Sequence, residues 1–256
     1  MRALISLTLA LPCLASCALP SLEVQPRYAR LDISGSAGYA SGGTGGAADL
    51  EQAGLDSDDA LGGRIDFKFG SPHLIAMGQA PSYDGTGTLD VTVSDGTDTI
   101  TAGANVDSTL DIGQYTLALV FDLVPGDTVE VALGLGASYL DVDSSFTELG
   151  TGTTVSSTES LPLPLLVGVA SVWIGPVELS ALVSGFSVHY SGDSVSYYDA
   201  DFFARWKVFG GSELLRASLV AGYRLTDFQL EYDDDTTDVD LDLSLRGPYL
   251  GLEVSL

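Results

Sequence analysis

Residues 239–245 alternate without a fault: Val239, Leu241, Leu243 and Leu245 are apolar, with Asp240, Asp242 and Ser244 between them. Period-two alternation belongs to a strand with one greasy and one wet face. After Gly247-Pro248 the apolar set moves to even positions, Leu250, Leu252, Val254 and Leu256. A Gly-Pro step inside a strand predicts a bulge that shifts the parity by one and keeps these side chains on a single apolar face.

The pattern recurs along the chain. Leu31, Ile33, Ala37 and Tyr39 oppose Arg30, Asp32, Ser34 and Ser36, and Ile65, Phe67 and Phe69 oppose Arg64, Asp66 and Lys68. Tyr115, Leu117, Leu119, Phe121 and Leu123 share one face of 110–123. Val129, Val131, Leu133, Leu135 and Tyr139 oppose Glu130, Gly134, Gly136 and Ser138. Segments 161–174 and 177–190 flank the turn Gly175-Pro176. Phe202, Ala204, Trp206 and Val208 oppose Asp201, Arg205 and Lys207; Leu215, Leu219, Tyr223 and Leu225 oppose Arg216, Ser218, Gly222 and Arg224. Asp95-Gly96 predicts a short hairpin standing beyond the main strands. A helical turn or two is expected within 47–54.

Ten strands result, with eight as the alternative count. Tight connections at 71–72, 124–127, 175–176 and 209–212 alternate with longer ones at 41–60, 83–109, 142–160, 191–194 and 232–237. Short turns at one rim and long loops at the other predict an all-β fold, an antiparallel up-and-down transmembrane β-barrel with both termini on the short-turn side. The longest apolar stretch, 161–174, carries Pro162 and Pro164 and is too short for a membrane helix.

Charge narrows the function. Ten Lys+Arg face 35 Asp+Glu, a net charge of −25, which excludes a nucleic-acid binder with its basic footprint. Residues 1–16 read as an export signal, with Arg2 ahead of an apolar core at 3–11. Leu14-Ala15-Ser16-Cys17 resembles the lipobox of bacterial lipoproteins, which implies lipidation of Cys17; an ordinary cleavage near Ala18 fits the same residues. Residues 17–27, with Pro20 and Pro26, are expected to form a linker, and 28–256 the barrel. Cys13 and Cys17 are the only cysteines, so the body holds neither a disulfide nor a cysteine metal site.

Alternation alone also fits a soluble sandwich. Two features favour the membrane. The apolar faces run for about the 9–11 residues a strand needs to cross, and the opposite faces are rich in Gly, Ser and Ala, as a narrow lumen requires. Arg30, Arg64, Lys68, Arg205, Lys207, Arg216, Arg224 and Arg246 all take the polar parity. On the lipid face each would cost about 2–4 kcal/mol at the midplane. These residues, facing Asp32, Asp66, Glu130, Asp201, Asp240, Asp242 and Glu253, are expected to form a lumenal network of ion pairs that plugs the bore.

The ending Tyr249-x-Gly251-x-x-Val254-x-Leu256 resembles the C-terminal insertion signal of outer-membrane proteins. Residues 49–55 and 58–71, with Ala221-Gly222-Tyr223-Arg224 and the 247–251 ending, resemble small barrels of the OmpA/OmpW-like superfamily. That likeness implies residence in the bacterial outer membrane, with outer-membrane lipid and the barrel-insertion machinery as partners.

Catalytic chemistry has one candidate. Lipid A deacylases carry a His-x-Ser pair on a barrel strand, which His189-Tyr190-Ser191 resembles, with Asp199 or Asp201 to orient the histidine. A rim histidine is the plainer reading of His189, and His73, beside Pro72, reads as a turn residue. Asp233-Asp234-Asp235 and Asp56, Asp58 and Asp59 suit a hard cation but lack EF-hand spacing and read as solvated loops. Trp173, Trp206, Tyr139 and Tyr223 fit interface girdles. The expectation is a non-enzymatic barrel with a charge-plugged lumen, with no cofactor or metal and a structural or surface-presenting role. The alternative is a narrow channel for small solutes or ions, and an enzyme using His189 and Ser191 ranks behind both.

Overall fold

The computed structural model describes residues 20–41, 46–126, 128–190, 193–212, 215–234 and 237–256. The expected export signal at 1–16 and the expected lipidation site Cys17 lie outside them, as do Ser191 and Asp235. The strands are β1 (Ser21–Ser41), β2 (Ala47–Asp49), β3 (Ser57–Lys68), β4 (Pro72–Gln79), β5 (Ser82–Thr88), β6 (Val93–Ser94), β7 (Thr99–Ile100), β8 (Asn105–Val124), β9 (Val129–Glu148), β10 (Thr154–Ile174), β11 (Val177–Tyr190), β12 (Asp193–Ser212), β13 (Leu215–Asp234) and β14 (Thr237–Ser255). Both β4 and β5 pair with β8, one above the other, so they form a single stave interrupted at Ala80-Pro81. Ten staves, β1, β3, β4/β5 and β8 to β14, pair antiparallel with their neighbours, and β14 pairs back onto β1. The barrel is closed. Leu22 and Leu256 seal the seam at the short-turn rim, each amide donating to the other's carbonyl, at 3.1 and 2.9 Å.

Several expectations change. Residues 21–27 are not a linker: β1 starts at Ser21, and Pro26 sits within it opposite Gly63, exposed on the outer face. The expected loop at 142–160 is instead the tops of β9 and β10, joined by the turn at 149–153. Likewise β13 and β14 run through most of 232–237. Over 47–54 a regular helix does not form, but β2 is followed by a single turn of helical spacing, in which Ala53 donates its amide to the Asp49 carbonyl, and then by a bond from the Leu55 amide to the Leu50 carbonyl. Gly247-Pro248 makes no bulge, since β13 and β14 pair one for one from Arg216–Ser255 to Asp234–Thr237.

With no bulge, parity is constant along β14, and odd residues from Leu241 to Glu253 point inward. What changes is the chemistry of each face. Toward the loop rim Leu241, Leu243 and Leu245 are inside and Asp242 and Arg246 outside; toward the turn rim Tyr249 and Glu253 are inside and Leu250, Leu252 and Val254 outside. Leu243 is 1% exposed and Leu250 67%. The exchange repeats around the ring. On β8 the outer face passes from Asp107, Thr109 and Asp111 to Tyr115, Leu117 and Leu119, and the inner face from Val106, Leu110 and Ile112 to Gln114 and Thr116. On β9 outward Asp141 and Asp143 stand above Tyr139 and Leu135, with Leu140, Val142 and Phe146 inside. On β13 Asp227, Gln229 and Glu231 are outside and Phe228 and Leu230 inside.

The barrel therefore has two tiers. The turn-side tier is apolar outside, as hydrocarbon requires, and largely polar on one inner wall. The loop-side tier is polar outside and apolar inside, as water requires of a packed domain. Its core includes Ile33, Leu110, Ile112, Leu140, Val142, Leu163, Phe228, Leu241 and Leu243. The chain also folds into this tier. Leu50 and Leu55 are buried in its core, Thr88 donates its amide to Gln52, and Ser108 Oγ donates to the Ala53 carbonyl. Gly85 and Gly87 on β5 permit this approach: a Cβ on either would strike the backbone of Gln52 or Gly54.

The mouth is covered as well. The β6–β7 hairpin forms where Asp95-Gly96 predicts it, with residues 95–98 as its turn. Asp95 Oδ1 accepts the amides of Thr97 and Asp98, both at 2.9 Å. Those backbone amides, Asp98's first, hold the exposed carboxyl below its ordinary range. β6 packs against β1 and β7 against β10, staves on opposite sides of the ring, so the hairpin bridges the opening. Its own Val93 and Ile100 pack with Leu89, Ala48, Ala53, Val106, Phe146 and Val155.

Candidate functional site: the closed lumen

The turn-side lumen has two unlike walls. On β4, β8, β9 and β10 the inward side chains include Ile75, Met77, Ala118, Val120, Ala132, Val167 and Val169. The facing wall, from β1, β3, β11, β12, β13 and β14, carries the charge. Phe203 lies between three guanidiniums, with Arg27, Arg64 and Arg205 at 5.5, 5.4 and 5.7 Å from its ring centroid. Like charges gather there because the ring face is electronegative and each guanidinium has a carboxylate partner.

Arg27 Nη1 donates to Asp201 Oδ2 at 2.6 Å, stacks over Tyr249 at 4.5 Å and also donates to Gln25. The Tyr249 hydroxyl donates to the other Asp201 oxygen at 2.6 Å. Arg205 is ringed by Glu23 and Glu253, each at 2.9 Å, and Glu178 at 3.5 Å. Arg64 meets Asp66 at 3.1 Å. Arg224 grips Asp199 with two nitrogens, at 2.9 and 3.1 Å, while Thr226 donates to the same carboxylate. The fork geometry and burial make this the most constrained pair of the set.

From Arg224 the network crosses the bore. Its Nη1 donates to Gln79 Oε1 at 3.0 Å, Gln79 donates to Gln114 at 2.8 Å, and Gln114 bonds Tyr197. These residues belong to β13, β4, β8 and β12, so the chain of hydrogen bonds runs from wall to wall. A space of about 10 Å³ beside Arg27, Gln79, Arg224 and Tyr249 has room for one water. Under the hairpin a second space of about 40 Å³ is lined by Val93, Phe146, Val155 and Leu241.

Of the charged residues predicted for the lumen, Arg64, Asp66, Lys68, Glu130, Asp201, Arg205, Lys207, Arg224 and Glu253 point inward. Arg216 has inward parity but is exposed at the turn-side rim. Arg30, Asp32, Asp240, Asp242 and Arg246 do not line the lumen; they stand on the outer face of the loop-side tier. There the apolar neighbours of these residues fill the core, so the charges go to water. Arg30 donates to Ser57, and Arg246 meets Asp227 at 3.2 Å.

Arg27, Glu23, Gln25, Glu178, Asp199, Gln79, Gln114 and Tyr249 are lumenal residues the sequence reading missed. Alternation of Glu23, Gln25 and Arg27 with Leu22, Val24 and Pro26 is the signal that could have found three of them. Trp173 also departs from the girdle prediction, because it faces inward and stacks with Lys207 at 3.8 Å from its ring centroid. Tyr139, Trp206 and Tyr223 face outward in the apolar belt. His189 faces outward opposite Ser194, while Asp199 and Asp201 face inward and are held by Arg224 and Arg27. Neither aspartate is placed to orient this histidine.

No protein-family model and no curated protein matches the sequence. Among solved structures, the chain is similar to Ail, the attachment invasion locus protein of Yersinia pestis, at 11% identity and a TM-score of 0.38 over 93% of this chain and 100% of that one. It is similar to the transport unit of the autotransporter AIDA-I from Escherichia coli at 11% identity and 0.38, over 96% and 93%. For the translocator domain of the autotransporter NalP from Neisseria meningitidis the values are 13% and 0.35, over 91% and 88%. Likenesses this distant add nothing to the reading of the site. By its own geometry, a closed antiparallel barrel with an apolar outer belt and short turns at one rim, the chain has the architecture of a bacterial outer-membrane β-barrel.

Proposed function

We propose that the protein is a non-enzymatic outer-membrane barrel that does not conduct, closed once by charge and once by grease, whose role is to hold a rigid acidic wall outside the bilayer. The observation that carries this reading is the exchange of faces between tiers. A conducting barrel needs a wet bore along its whole length, and here the loop-side bore is a packed apolar core with Leu50 and Leu55 inside it. Below it, the Arg224–Gln79–Gln114–Tyr197 chain spans the lumen. The outer wall of the upper tier carries Asp32, Asp107, Asp111, Asp141, Asp143 and Asp227, with Arg30 and Arg246 as counter-charges. Export, delivery to the barrel-insertion machinery and surrounding outer-membrane lipid belong to the same proposal.

Planar-bilayer recording on folded protein tests it. The expected trace is flat under applied voltage. Steady unitary steps would contradict the reading and put a narrow channel for small solutes or ions in its place.

A further inference from the structure

His73 is not the turn residue it resembles in sequence. It points into the turn-side mouth from β4, beside Asp122 of β8 and Glu130 of β9. Its Nε2 lies 3.1 Å from Asp122 Oδ1, and its Nδ1 lies 3.6 Å from Glu130 Oε1. One donor atom from each of the three residues falls within 4.8 Å of the others, the only such His/Cys/Asp/Glu group among the described residues. The Asp122 side chain is 10% exposed; its Oδ2 shares a hydrogen bond with His73 Nε2 at 3.2 Å, and its Oδ1, 3.1 Å from the same nitrogen, is buried without a hydrogen bond among the described residues.

We propose that His73, Asp122 and Glu130 form a binding site for a divalent transition-metal ion at the turn-side mouth, with zinc as the representative ion. One imidazole and two carboxylates are a donor set that zinc takes readily, with water completing four-coordination. Calcium prefers six to eight oxygens and gains little from a nitrogen donor. Two carboxylates match the ion's charge. The three residues come from adjacent staves, and the β8–β9 pairing shifts register just after Asp122, beside the site. Lys68 competes: its ammonium lies 3.0 Å from Glu130 Oε2, so the ion must displace it. The site stands apart from the Arg224 chain and does not depend on whether the lumen conducts.

The test is calorimetric titration of zinc chloride, with calcium chloride as control, into untagged, detergent-folded protein carrying Cys13→Ser and Cys17→Ser. Heat-dependent gel mobility confirms that each variant is folded. Zinc is expected to bind at one equivalent and calcium not to bind. His73→Ala should weaken zinc by at least about tenfold, and Lys68→Met should strengthen it. Absence of zinc binding in both the parent and Lys68→Met, or equal affinity in a folded His73→Ala, overturns the proposal.

Discussion

Tyr115 and Tyr139 face each other directly across β8 and β9, both pointing outward, and the next outward pair two registers above includes Asp141. One further step up, Asp111 is opposite Asp143. An aromatic pair followed at once by carboxylates marks the edge of hydrocarbon, because tyrosine rings settle at the headgroup level and carboxylates do not enter below it. Leu119 lies opposite Leu135 well inside the belt. Leu119→Lys is expected to destabilise the folded barrel by about 2–4 kcal/mol. Asp111→Lys should cost nothing and relieve the like-charge pair with Asp143. Urea unfolding from lipid vesicles measures both.

Leu243 and Leu252 lie on the same strand with equal side chains and opposite surroundings. The first is in the upper core at 1% exposure, the second on the lipid face at 58%. Leu243→Ala is expected to cost about 2–5 kcal/mol, since it empties a packed site. Leu252→Ala should cost distinctly less, because lipid chains fill the space it leaves. Equal losses in the same unfolding assay would place both residues on one face.

Asp199 and Arg224 are buried partners, with side-chain exposures of 0% and 6%. Removing either, as in Arg224→Met or Asp199→Leu, strands the other's charge and is expected to cost about 3–5 kcal/mol. Removing both should cost clearly less than the sum of the single changes. A double-mutant cycle reads the difference, and strict additivity would show that the pair is not coupled.

Much of this architecture could be read before the fold was known. The staves and their tight turns follow from alternation broken by Gly, Pro and Asp, and the lipid face of 115–123 is plain from five apolar side chains in step. What alternation cannot say is which face is inside, because a period of two is the same pattern in water and in lipid. Around Leu241, Leu243 and Leu245 the solvent changes on both faces at once, and moving the apolar set to even positions at Leu250 looks like a bulge. Arg27 was hidden by Pro26, which reads as linker punctuation but is accommodated on the outer face of β1. His73 was hidden by Pro72 for the same reason. Its partners, Asp122 and Glu130, sit on later strands and are brought to it by strand pairing.

The exchange of faces is the central claim, and site-directed spin labelling in a cysteine-free background tests it most directly. Nitroxides at positions 242, 243 and 250 of the protein in lipid vesicles would be probed with oxygen and with a water-soluble nickel complex. The expected result is nickel access at 242, oxygen access at 250, and shielding from both at 243. An oxygen signature at 243 matching that at 250 would put Leu243 in lipid and contradict the two-tier barrel.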